Sequence, residues 1–547
     1  MIQFTTDVLI IGAGPTGTTL ALELAAQNIS FRLIDKASQR SDKSRALAVH
    51  SRSMEVLDRH APVQGLMDVG NRASGILYYI HGKQVTDLNM NNVRAGEDTE
   101  FPQILMISQI DTERFLDHSL AGKYGRAAEF GIEATSIVQD ADGVTVVLRK
   151  VQQHDSGSDA TADEIMRAKY VVGADGSHSA VRHAAPSITF DGSAYPQDFI
   201  LCDTHIRNTT LRRDRITFCS GWGLMIVFPL KDGMVRVVVS RAGHRADEDK
   251  PVLADFQSWL DRMAPGSGEL HDPLWMARFR LHRRVSNKYR DGRLFLAGDA
   301  AHIHSPAGNQ GMNTGIQDAV NLGWKLARVV RGEKADHFLD SYNDERRPVG
   351  MKLLNSSDRM FSLVSSNSRL WHLFRNLLAP WLLPRAFRND ARRNHFFRFL
   401  SQLGVRYRNS AIVGTAVGFA GPVNGGNRAP DGEVKCSGGE KKRLHQLLTP
   451  ANHHLLLFSG VEADGRASEA ALMRAEMQFR DRNPDAALVH TLVAGEPCGK
   501  SEYVDVDGGL HKRFGLEKTS GYAYIRPDGY IAHIGPLSSL EEFMNWQ

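Results

Sequence analysis

The stretch Asp7-Val-Leu-Ile-Ile-Gly12-Ala-Gly14-Pro15-Thr16-Gly17 decides the fold of this chain. It begins with an apolar run of strand length and continues into a helical pattern that reaches residue 27. Gly12 permits a tight strand-to-helix turn, Gly14 lets the backbone approach a pyrophosphate, and Gly17 allows close packing of helix and strand. The free N–H groups at the start of the helix then point at the phosphates. The stretch therefore predicts a Rossmann-type unit that binds a dinucleotide.

A second strand, predicted at residues 31–34, ends at an acidic residue, Asp35, which is followed by Lys36. A carboxylate at this position accepts hydrogen bonds from a ribose hydroxyl. Its charge also repels a 2′-phosphate, so the predicted site suits FAD or NAD better than NADP.

Two later segments have the form of further parts of one FAD site. Tyr170-Val-Val-Gly-Ala-Asp175-Gly176 and Leu294-Phe-Leu-Ala-Gly298-Asp299 are each an apolar strand followed by a sharp turn with an acid. Sheets in α/β proteins bind ligands at the carboxyl ends of their strands, where Asp299 can accept a hydrogen bond from a ribityl chain. Each segment alone would be an ordinary strand-turn-helix joint. The order and separation of the three segments predict a flavoprotein that holds an extended FAD.

The loop that follows, residues 306–313, contains Gly308 and Gly311 and opens a helix predicted at residues 312–331. Its N–H groups and the helix dipole would stabilise negative charge at one edge of a flavin. The alternative is a simple helix cap by Asn309 or Asn313, and both interpretations can hold together.

Composition argues against several other classes of protein. The 547 residues include 66 basic and 62 acidic side chains, and the net charge of +4 gives no case for nucleic acid. The four cysteines form no C-x-x-C pair, which argues against a disulfide framework, a zinc site and a dithiol redox centre, so no metal is expected. The first strand begins almost at the N-terminus, and no apolar run reaches the length of about eighteen residues that a membrane span needs. These features predict a cytoplasmic protein with no membrane anchor.

Strand and turn patterns predict an α/β fold with four parts. Predicted hairpins at 76–80 with 84–88 and at 225–230 with 235–240 belong to a β-rich domain. A helix is predicted at 111–120, capped by Asp111 or Thr112, and the Gly/Pro/Asn-rich stretch 421–432 is predicted to be a linker. The predicted parts are a discontinuous FAD-binding domain (1–75, 105–186 and 281–350), a β-rich substrate domain (76–104 and 187–280), a helical segment (351–420) and a C-terminal domain (421–547).

From about residue 5 to residue 346 the chain resembles the FAD-dependent aromatic hydroxylases, also called class A flavoprotein monooxygenases. The resemblance rests on the glycine triplet, on Ser44-Arg45-Ala46, on Gln109 in Ser-Gln-Ile-Asp-Thr-Glu-Arg-Phe-Leu, on Asp175-Gly176 and on Gly298-Asp299. The stretch 308–326, which contains Gly308, Gly311, Met312 and Asn313, is also close to the family's pattern.

The resemblance implies roles that the patterns alone leave open. Arg45 and Gln109 would contact FAD, and Asp175-Gly176 would serve both FAD and the pyridine nucleotide. The carbonyl of Pro306 would lie near the reacting end of the substrate. Lys36 departs from the family, which commonly has an arginine there, and this departure affects only adenosine binding.

The C-terminal domain resembles the thioredoxin-like domain of one branch of this family. That branch includes phenol, hydroxyphenylpropionate and polyketide hydroxylases. Its members commonly have the turn that this chain has as Arg526-Pro-Asp-Gly529-Tyr530. Because thioredoxin chemistry needs two thiols two residues apart, the domain is expected to be structural.

The implied activity is FAD-dependent monooxygenation. NADPH or NADH would reduce a non-covalent FAD, dioxygen would add at the flavin C4a position, and the resulting hydroperoxide would hydroxylate an electron-rich phenolic or polyketide aromatic ring. The expected partners are a small aromatic substrate, dioxygen and NAD(P)H, and relatives are often homodimers. The alternatives are a Baeyer–Villiger or epoxidising monooxygenase on the same scaffold and a non-catalytic flavin-binding partner protein.

Residues of the substrate pocket are predicted by position only. The candidates are His50, Arg52, Tyr79, Trp222 and Phe228. His50 and the carbonyl of Pro306 are also the candidates for catalysis. A role in the core or at the surface is the alternative for each of these side chains.

Overall fold

The computed structural model describes most of the chain. The described residues are 5–44, 46–90, 97–151, 163–241, 250–303, 308–365, 378, 381–382, 385, 387–462, 466–483, 487–495 and 503–546. Arg45 and Pro306 lie outside the described residues, and so does Cys498.

A largely parallel sheet forms the dinucleotide-binding unit. Its strands are β1 (Thr6–Ile11), β2 (Phe31–Asp35), β8 (Glu129–Phe130), β9 (Ile132–Gln139), β10 (Val144–Lys150), β11 (Glu164–Gly173), β17 (Arg290–Asp291) and β18 (Leu294–Leu296). The order is β17-β18-β11-β1-β2-β8, and β10 pairs with both β11 and β9. Strands β1, β11 and β18 run parallel, so the three predicted FAD segments all leave the same edge of the sheet.

Helices pack against this sheet around one apolar core. They are α1 (Pro15–Ala26), α2 (Ser51–Asp58), α3 (Gln64–Val69), α4 (Gln109–Tyr124), α5 (Ala180–Ala184) and α7 (Gly311–Val330). Helices α1 and α7 approach so closely that a Cβ on Gly323 would lie 2.6 Å from the Cβ of Glu23. A Cβ on Gly315 would lie 2.2 Å from the Oγ1 of Thr16, so the beginning of α7 lies beside the glycine-rich turn before α1.

The prediction for helix α4 was wrong about its start. The helix begins at Gln109, and the hydroxyl of Ser108 accepts a hydrogen bond from the N–H of Asp111 at 3.1 Å. Serine is a strong N-cap residue, so Ser108 takes the place predicted for Asp111 or Thr112. The helix ends at Gly125, whose left-handed backbone suits glycine.

An eight-stranded sheet forms the second unit. Its order is β19-β16-β12-β15-β14-β13-β5-β6. The strands are β5 (Gly75–Ile80), β6 (Lys83–Asn89), β12 (Phe190–Arg207), β13 (Ile216–Ser220), β14 (Leu224–Pro229), β15 (Met234–Arg241), β16 (Glu269–Ser286) and β19 (His302–Ile303). Both predicted hairpins are confirmed, as β5–β6 and β14–β15. A small sheet of β3 (Ala48–Val49), β4 (Asn71–Ala73) and β7 (Ile104–Met106) connects the two units.

The two faces of this second sheet have different neighbours. One face packs its apolar side chains under helix α6 (Leu253–Met263). The other face meets the dinucleotide-binding unit, where Ile226 and Val238 pack with Leu47 and Ala48. Because side chains alternate along a strand, neighbouring residues in these strands belong to different surroundings.

The C-terminal part begins with two helices, α8 (Asp340–Ser365) and α9 (Asp390–Leu400). It continues as a mixed sheet with the strands β20 (Gly414–Thr415), β21 (Glu433–Cys436), β22 (Lys441–Arg443), β23 (His453–Phe458), β24 (Ala487–Ala494), β25 (Tyr503–Asp505), β26 (Gly521–Ile525) and β27 (Ile531–Pro536). Their order is β20-β27-β26-β23-β24-β25-β21-β22. The remaining helices are α10 (Leu444–Leu447), α11 (Glu469–Arg482), α12 (Gly509–Phe514) and α13 (Leu540–Trp546). Two apolar clusters lie on this sheet, one with α10 and α12 and the other with α11 and α13.

The stretch 421–432, which its composition predicts to be a linker, is buried from residue 425 onward. Asn427, Arg428, Ala429 and Asp431 are each at most 5% exposed. Residues on both sides of it also belong to one unit, since β20 pairs with β27 before residue 421. Glycine and proline here allow a tight, buried path rather than a flexible one. The predicted domain boundaries otherwise stay predictions, while the α/β fold class with several sheets is confirmed. Among the described residues, no helix is both long and apolar enough to cross a membrane.

Candidate active site

The three glycines of the first motif have different structural reasons. Gly12 has a φ of +104°, and a Cβ there would lie 2.4 Å from the carbonyl oxygen of Ala174. A Cβ on Gly17 would lie 1.9 Å from the carbonyl oxygen of Gly12. Gly14 differs, because a Cβ added there would meet nothing within 4 Å. The backbone at Gly14 therefore borders open space, as a pyrophosphate cradle requires.

Thr16 is the point where the glycine-rich turn meets the third segment. A Cβ on Gly298 would lie 2.6 Å from the Oγ1 of Thr16, and one on Gly315 would lie 2.2 Å from the same atom. Pro15, at the first position of α1, lacks an N–H that the helix start would leave unpaired. The first and third predicted segments are thus in direct contact.

Asp35 lies where the sequence predicts it, at the end of β2. Its Oδ2 accepts a hydrogen bond from the N–H of Ala13 at 2.8 Å, and its Oδ1 accepts one from the N–H of Ala37 at 2.9 Å. Each carboxylate oxygen can accept a further bond, so both remain able to bind a ribose hydroxyl. Lys36, next to it, is exposed.

Arg40 is a residue of this region that the sequence patterns missed. Its guanidinium donates to the carbonyl of Ala13, to Thr18 and to Asp117 of α4. It thereby fixes the glycine-rich turn against a neighbouring helix. No short-range pattern marks it, because its partners come from two other elements.

Asp175 and Gly176 form the turn after β11, directly beside Gly12. The Oδ2 of Asp175 accepts a hydrogen bond from the N–H of Ala180 at 2.7 Å. Its Oδ1 is buried and has no hydrogen-bond partner among the described residues. Burial raises the pKa of this carboxyl above its ordinary value. The predicted contact of Asp175 and Gly176 with FAD and the pyridine nucleotide stays a prediction.

Gly298 and Asp299 form the turn after β18, and α7 holds this turn through Asp318. The Oδ2 of Asp318 accepts hydrogen bonds from the N–H of Gly298 at 3.1 Å and from the Nε2 of His302 at 2.8 Å. Its Oδ1 accepts one from the Nε of Arg346 at 2.6 Å. Asp318 and Arg346 are fully buried, whereas the side chain of Asp299 is exposed. The structure therefore leaves Asp299 on the accessible side of a turn held from behind.

The start of α7 is built around Asn313 and His50. The Oδ1 of Asn313 accepts a hydrogen bond from the N–H of His50 at 2.8 Å, and its Nδ2 donates to the carbonyls of Ala48 and Asn309. Gly311 is the first residue of the helix, and Met312 beside it is half-buried. Asn309 has a φ of +52°, which asparagine tolerates better than most residues. Both sequence interpretations of this loop involve Asn313, and here its side chain ties the loop to β3 and α2.

His50, predicted as a pocket and catalytic residue, has a buried side chain, and its catalytic role stays a prediction. Its side chain is 1% exposed and its Nε2 lies 2.9 Å from the carbonyl oxygen of Gly308. Burial lowers its pKa to about 4. The imidazole is therefore neutral at physiological pH and supports the loop rather than facing an open space.

Gln109 lies beside the segment that contains Arg45. Its Oε1 accepts a hydrogen bond from the N–H of Ala46 at 3.1 Å, and its Nε2 donates to Glu113 at 2.7 Å. Arg236 of β15 reaches the same segment, because its Nη2 donates to the carbonyl of Ser44 at 2.9 Å. Arg45 itself is outside the described residues, and its predicted contact with FAD stays a prediction.

Only one of the predicted pocket side chains lies on the face toward the dinucleotide-binding unit. Phe228 packs there with Leu47. Tyr79 lies on the opposite face with the cluster under α6, and Trp222 is 45% exposed between His81 and Arg262. Because side chains alternate along a strand, the neighbour Tyr78 points to the face toward the dinucleotide-binding unit, and the pocket role of Tyr79 stays a prediction. Arg52 is buried in an ion pair with Glu55 at 2.9 Å and does not face this sheet.

The face toward the dinucleotide-binding unit is rich in aromatic side chains. Tyr78 and Phe218 have ring centroids 5.5 Å apart, and Phe199 and Phe279 have centroids 5.6 Å apart. The hydroxyl of Tyr78 lies 2.7 Å from the Oγ of Ser220 and is the polar group among them. Phe199, Phe218 and Phe279 pack in one apolar cluster together with Leu224, Ile226, Val238 and Leu281.

A separate cavity of about 380 Å³ lies between α2, α4 and the C-terminal unit. Acidic and basic side chains line it, among them Asp58, Arg59, Glu100 and Lys123. None of the predicted cofactor residues borders it, so it is not the site described above.

Comparison with known proteins gives consistent matches over nearly the whole chain. The model of a family described as "FAD binding domain" matches residues 5–357. The chain is 34% identical over 543 residues to the 6-methylpretetramide 4-monooxygenase of Streptomyces rimosus. This alignment covers 97% of this chain and 91% of that protein. It is 30% identical over 532 residues to the pentachlorophenol 4-monooxygenase of Sphingobium chlorophenolicum, covering 96% and 93%. Among solved structures, CabE, an aromatic hydroxylase from angucycline biosynthesis, matches with a TM-score of 0.71 and 27% identity over 97% of this chain and 96% of that chain.

Proposed function

This chain belongs to the FAD binding domain family and is an FAD-dependent monooxygenase, and on this premise we propose that it hydroxylates a multi-ring phenolic or polyketide aromatic substrate. The observation that carries the proposal is the aromatic sheet face of Tyr78, Phe218, Phe199 and Phe279, which lies opposite the unit that holds the predicted FAD residues. Aromatic side chains offer a planar substrate both apolar area and favourable ring–ring geometry.

The residues of the first unit fit FAD along its length. The open backbone at Gly14 would receive the pyrophosphate, Asp35 the adenosine ribose, and Asp299 the ribityl chain. When bound, FAD supplies the redox chemistry that uses NAD(P)H and dioxygen to insert one oxygen atom into the substrate. The protein's part is to bind, orient and keep water out.

The start of α7 supplies electrostatic stabilisation. The first N–H groups of a helix have no partner inside the helix, and the helix dipole adds partial positive charge there. Two hydrogen bonds hold this end in place. The Nε2 of His50 bonds to the carbonyl oxygen of Gly308, and the side chain of Asn313 accepts a bond from the N–H of His50. With FAD bound as proposed, these N–H groups and the helix dipole would stabilise negative charge at the edge of the flavin without rearrangement of the protein.

The pyridine nucleotide would dock beside the turn of Asp175. Arg182 and Arg284 flank the ring of Phe190 there, with guanidinium carbons 4.0 and 6.0 Å from its centroid. The Nη2 of Arg182 donates to the carbonyl of Ser177, and the buried Nε of Arg284 has no partner among the described residues. Two cations around an aromatic ring suit the phosphates and the adenine of NADPH or NADH.

Two measurements test this function. The purified protein should be yellow, and acid precipitation should release all of its FAD into the supernatant, because the link is non-covalent. A panel of phenols and aromatic polyketides should then contain compounds that accelerate NAD(P)H consumption and gain one oxygen atom from labelled dioxygen. Labelled peroxide alone across the panel would contradict a monooxygenase, and a labelled lactone or epoxide would contradict hydroxylation. We also propose, from the resemblance to relatives that are often dimers, a homodimer that light scattering would detect.

A further inference from the structure

The turn 526–530 belongs to the C-terminal unit, but its side chains are buried against the dinucleotide-binding unit. It joins β26 and β27, and Arg526 and Asp528 are each 1% exposed. Arg526 donates to both carboxylate oxygens of Glu345 on α8, at 2.6 and 2.9 Å. The chemistry proposed above uses none of these residues.

Glu345 is the centre of a buried, charge-balanced cluster. Besides Arg526, it accepts hydrogen bonds from Lys325 at 2.8 Å and Asn321 at 2.7 Å, both on α7. Asp528 accepts from the Nε of Arg526 at 3.0 Å and from Asn321 at 3.2 Å. Two carboxylates and two cations therefore neutralise one another by direct ion pairs. Because an unmatched buried charge is strongly unfavourable, the turn, α7 and α8 have one favoured arrangement.

Helix α2 holds the same turn from another side. Arg52 donates to the carbonyl of Asp528 at 2.5 Å, and Arg59 donates to the carbonyl of Pro527. Helix α2 begins directly after His50, and α7 begins two residues before Asn313, the partner of His50. The turn therefore binds both helices that start at the proposed flavin edge.

Arg346, the neighbour of Glu345, continues these contacts to the site. Its Nη2 donates to the carbonyl of Thr314 in the first turns of α7 at 3.1 Å, and its Nε donates to Asp318 at 2.6 Å. Asp318 in turn holds the N–H of Gly298. A displacement of α8 at Glu345 would therefore move both the start of α7 and the turn that carries Asp299.

We propose that the turn 526–530 is a positioning element through which the C-terminal unit sets the place and orientation of α7 at the flavin. It acts through Glu345 and Arg346 and has no contact with substrate. This inference rests on the proposed placement of FAD. It assigns a role to a turn that is common in the branch of the family that the chain resembles.

The test compares holoenzymes that differ only in this cluster. The double variant Glu345→Gln/Arg526→Gln removes one charge of each sign and keeps the cluster neutral, while Asp528→Asn removes only the carboxylate charge that the turn contributes. Arg482→Gln is the matched control, because Arg482 pairs with Glu541 on the surface of the same unit. For each protein we would measure thermal unfolding, the Kd for FAD by fluorescence, and the visible spectrum and midpoint potential of the bound flavin.

In the double variant we expect a Kd for FAD raised by roughly tenfold, as is typical of coupling between sites. We also expect a shifted flavin spectrum and potential, and neither change in Arg482→Gln. A lower unfolding temperature with an unchanged spectrum and potential of the bound flavin would show a purely structural role and overturn the inference. If the double variant fails to fold, Asp528→Asn decides by the same criterion. A wild-type protein without affinity for FAD would contradict the proposed function instead.

Discussion

The Nε2 of His50 lies 2.9 Å from the carbonyl oxygen of Gly308, so a buried imidazole supports the loop from which α7 begins. Burial lowers the pKa of His50 to about 4. Histidines of the C-terminal unit are in a similar state, since burial lowers the pKa of His454 to about 3 and the pKa values of His490 and His533 to about 4, and it also lowers the pKa values of His445 and His453. The folded protein therefore keeps these imidazoles neutral over a range in which an unfolded chain would protonate them.

The first prediction is a loss of stability in mild acid. An unfolded histidine takes up a proton near pH 6.5, whereas these folded ones do so at lower pH, so the unfolded state binds more protons in between. The contribution of these imidazoles to the free energy of unfolding should be constant above about pH 7 and fall as the pH drops from 6.5 toward 4, by up to about 3 kcal/mol for each imidazole. Urea unfolding at a series of pH values measures this. The free energy of unfolding of His50→Gln should fall less steeply with decreasing pH than that of wild type. The variant His118→Gln, at an exposed position, should match wild type. Equal pH dependence in all three proteins would contradict the contribution of His50.

The second prediction separates two glycines of one motif. Gly12→Ala should unfold the region, because its φ is +104° and the new Cβ would overlap the carbonyl oxygen of Ala174. Gly14→Ala should fold with an unchanged melting temperature, because the new Cβ meets no protein atom within 4 Å. It should nevertheless raise the Kd for FAD by about tenfold or more, since it blocks close approach of the pyrophosphate. Fluorescence titration of the apoprotein measures the Kd. Gly65→Ala, which also adds a Cβ in open space but far from the motif, is the control.

The third prediction separates two adjacent tyrosines. Tyr78→Phe removes the hydroxyl that pairs with Ser220 on the aromatic face, whereas Tyr79→Phe removes one that pairs with Gln84 on the other side of the sheet. With a substrate from the panel, kcat/KM should fall roughly two- to tenfold for Tyr78→Phe, which is the scale of one hydrogen bond. It should stay close to wild type for Tyr79→Phe. Steady-state kinetics with peroxide detection measures both, and the reverse order of effects would refute the placement of the pocket.

The fourth prediction concerns the C-terminal unit. A Cys436→Ser/Cys498→Ser variant should hydroxylate at the wild-type rate, because the two cysteines are not spaced as a redox pair and Cys436 is a free thiol. Product formation and FAD content are measured together. Loss of turnover with full FAD content would show that the unit has redox chemistry after all.

The sequence predicted the parts of the site that depend on short-range geometry. The glycine triplet, Asp35, Asp175 and Asp299 each follow a strand within a few residues, so spacing alone indicates their place in the fold. Tyr79 was predicted for the pocket and Tyr78 was not, because two tyrosines in succession do not show which face of a strand is covered. The hairpins, by contrast, were predicted correctly, since turn and alternation are local features.

The contacts that the sequence could not predict join distant segments. Asp318 and Arg346 look like polar positions of two helices, and only packing shows that they are buried together behind the turn of Gly298. The burial of the stretch 421–432 from residue 425 onward could not be predicted, because composition does not report burial. The FAD contacts of Arg45 and the role of the Pro306 carbonyl stay predictions, as do the homodimer and the cytoplasmic location.

The register of the second sheet shows which positions to mutate in order to change the range of substrates. On each strand, the residues of the aromatic face have either only even or only odd numbers. Tyr78 pairs with Phe218, Phe218 with Ile226, Ile226 with Val238, Val238 with Leu201, and Leu201 with Ala277. The aromatic face therefore carries even-numbered residues on β5, β13, β14 and β15, and odd-numbered residues on β12 and β16. A mutant library confined to those positions would vary the surface offered to the substrate and leave the packing under α6 untouched. In a library of consecutive positions, half of the substitutions would fall in the apolar core under α6, where most substitutions destabilise the protein.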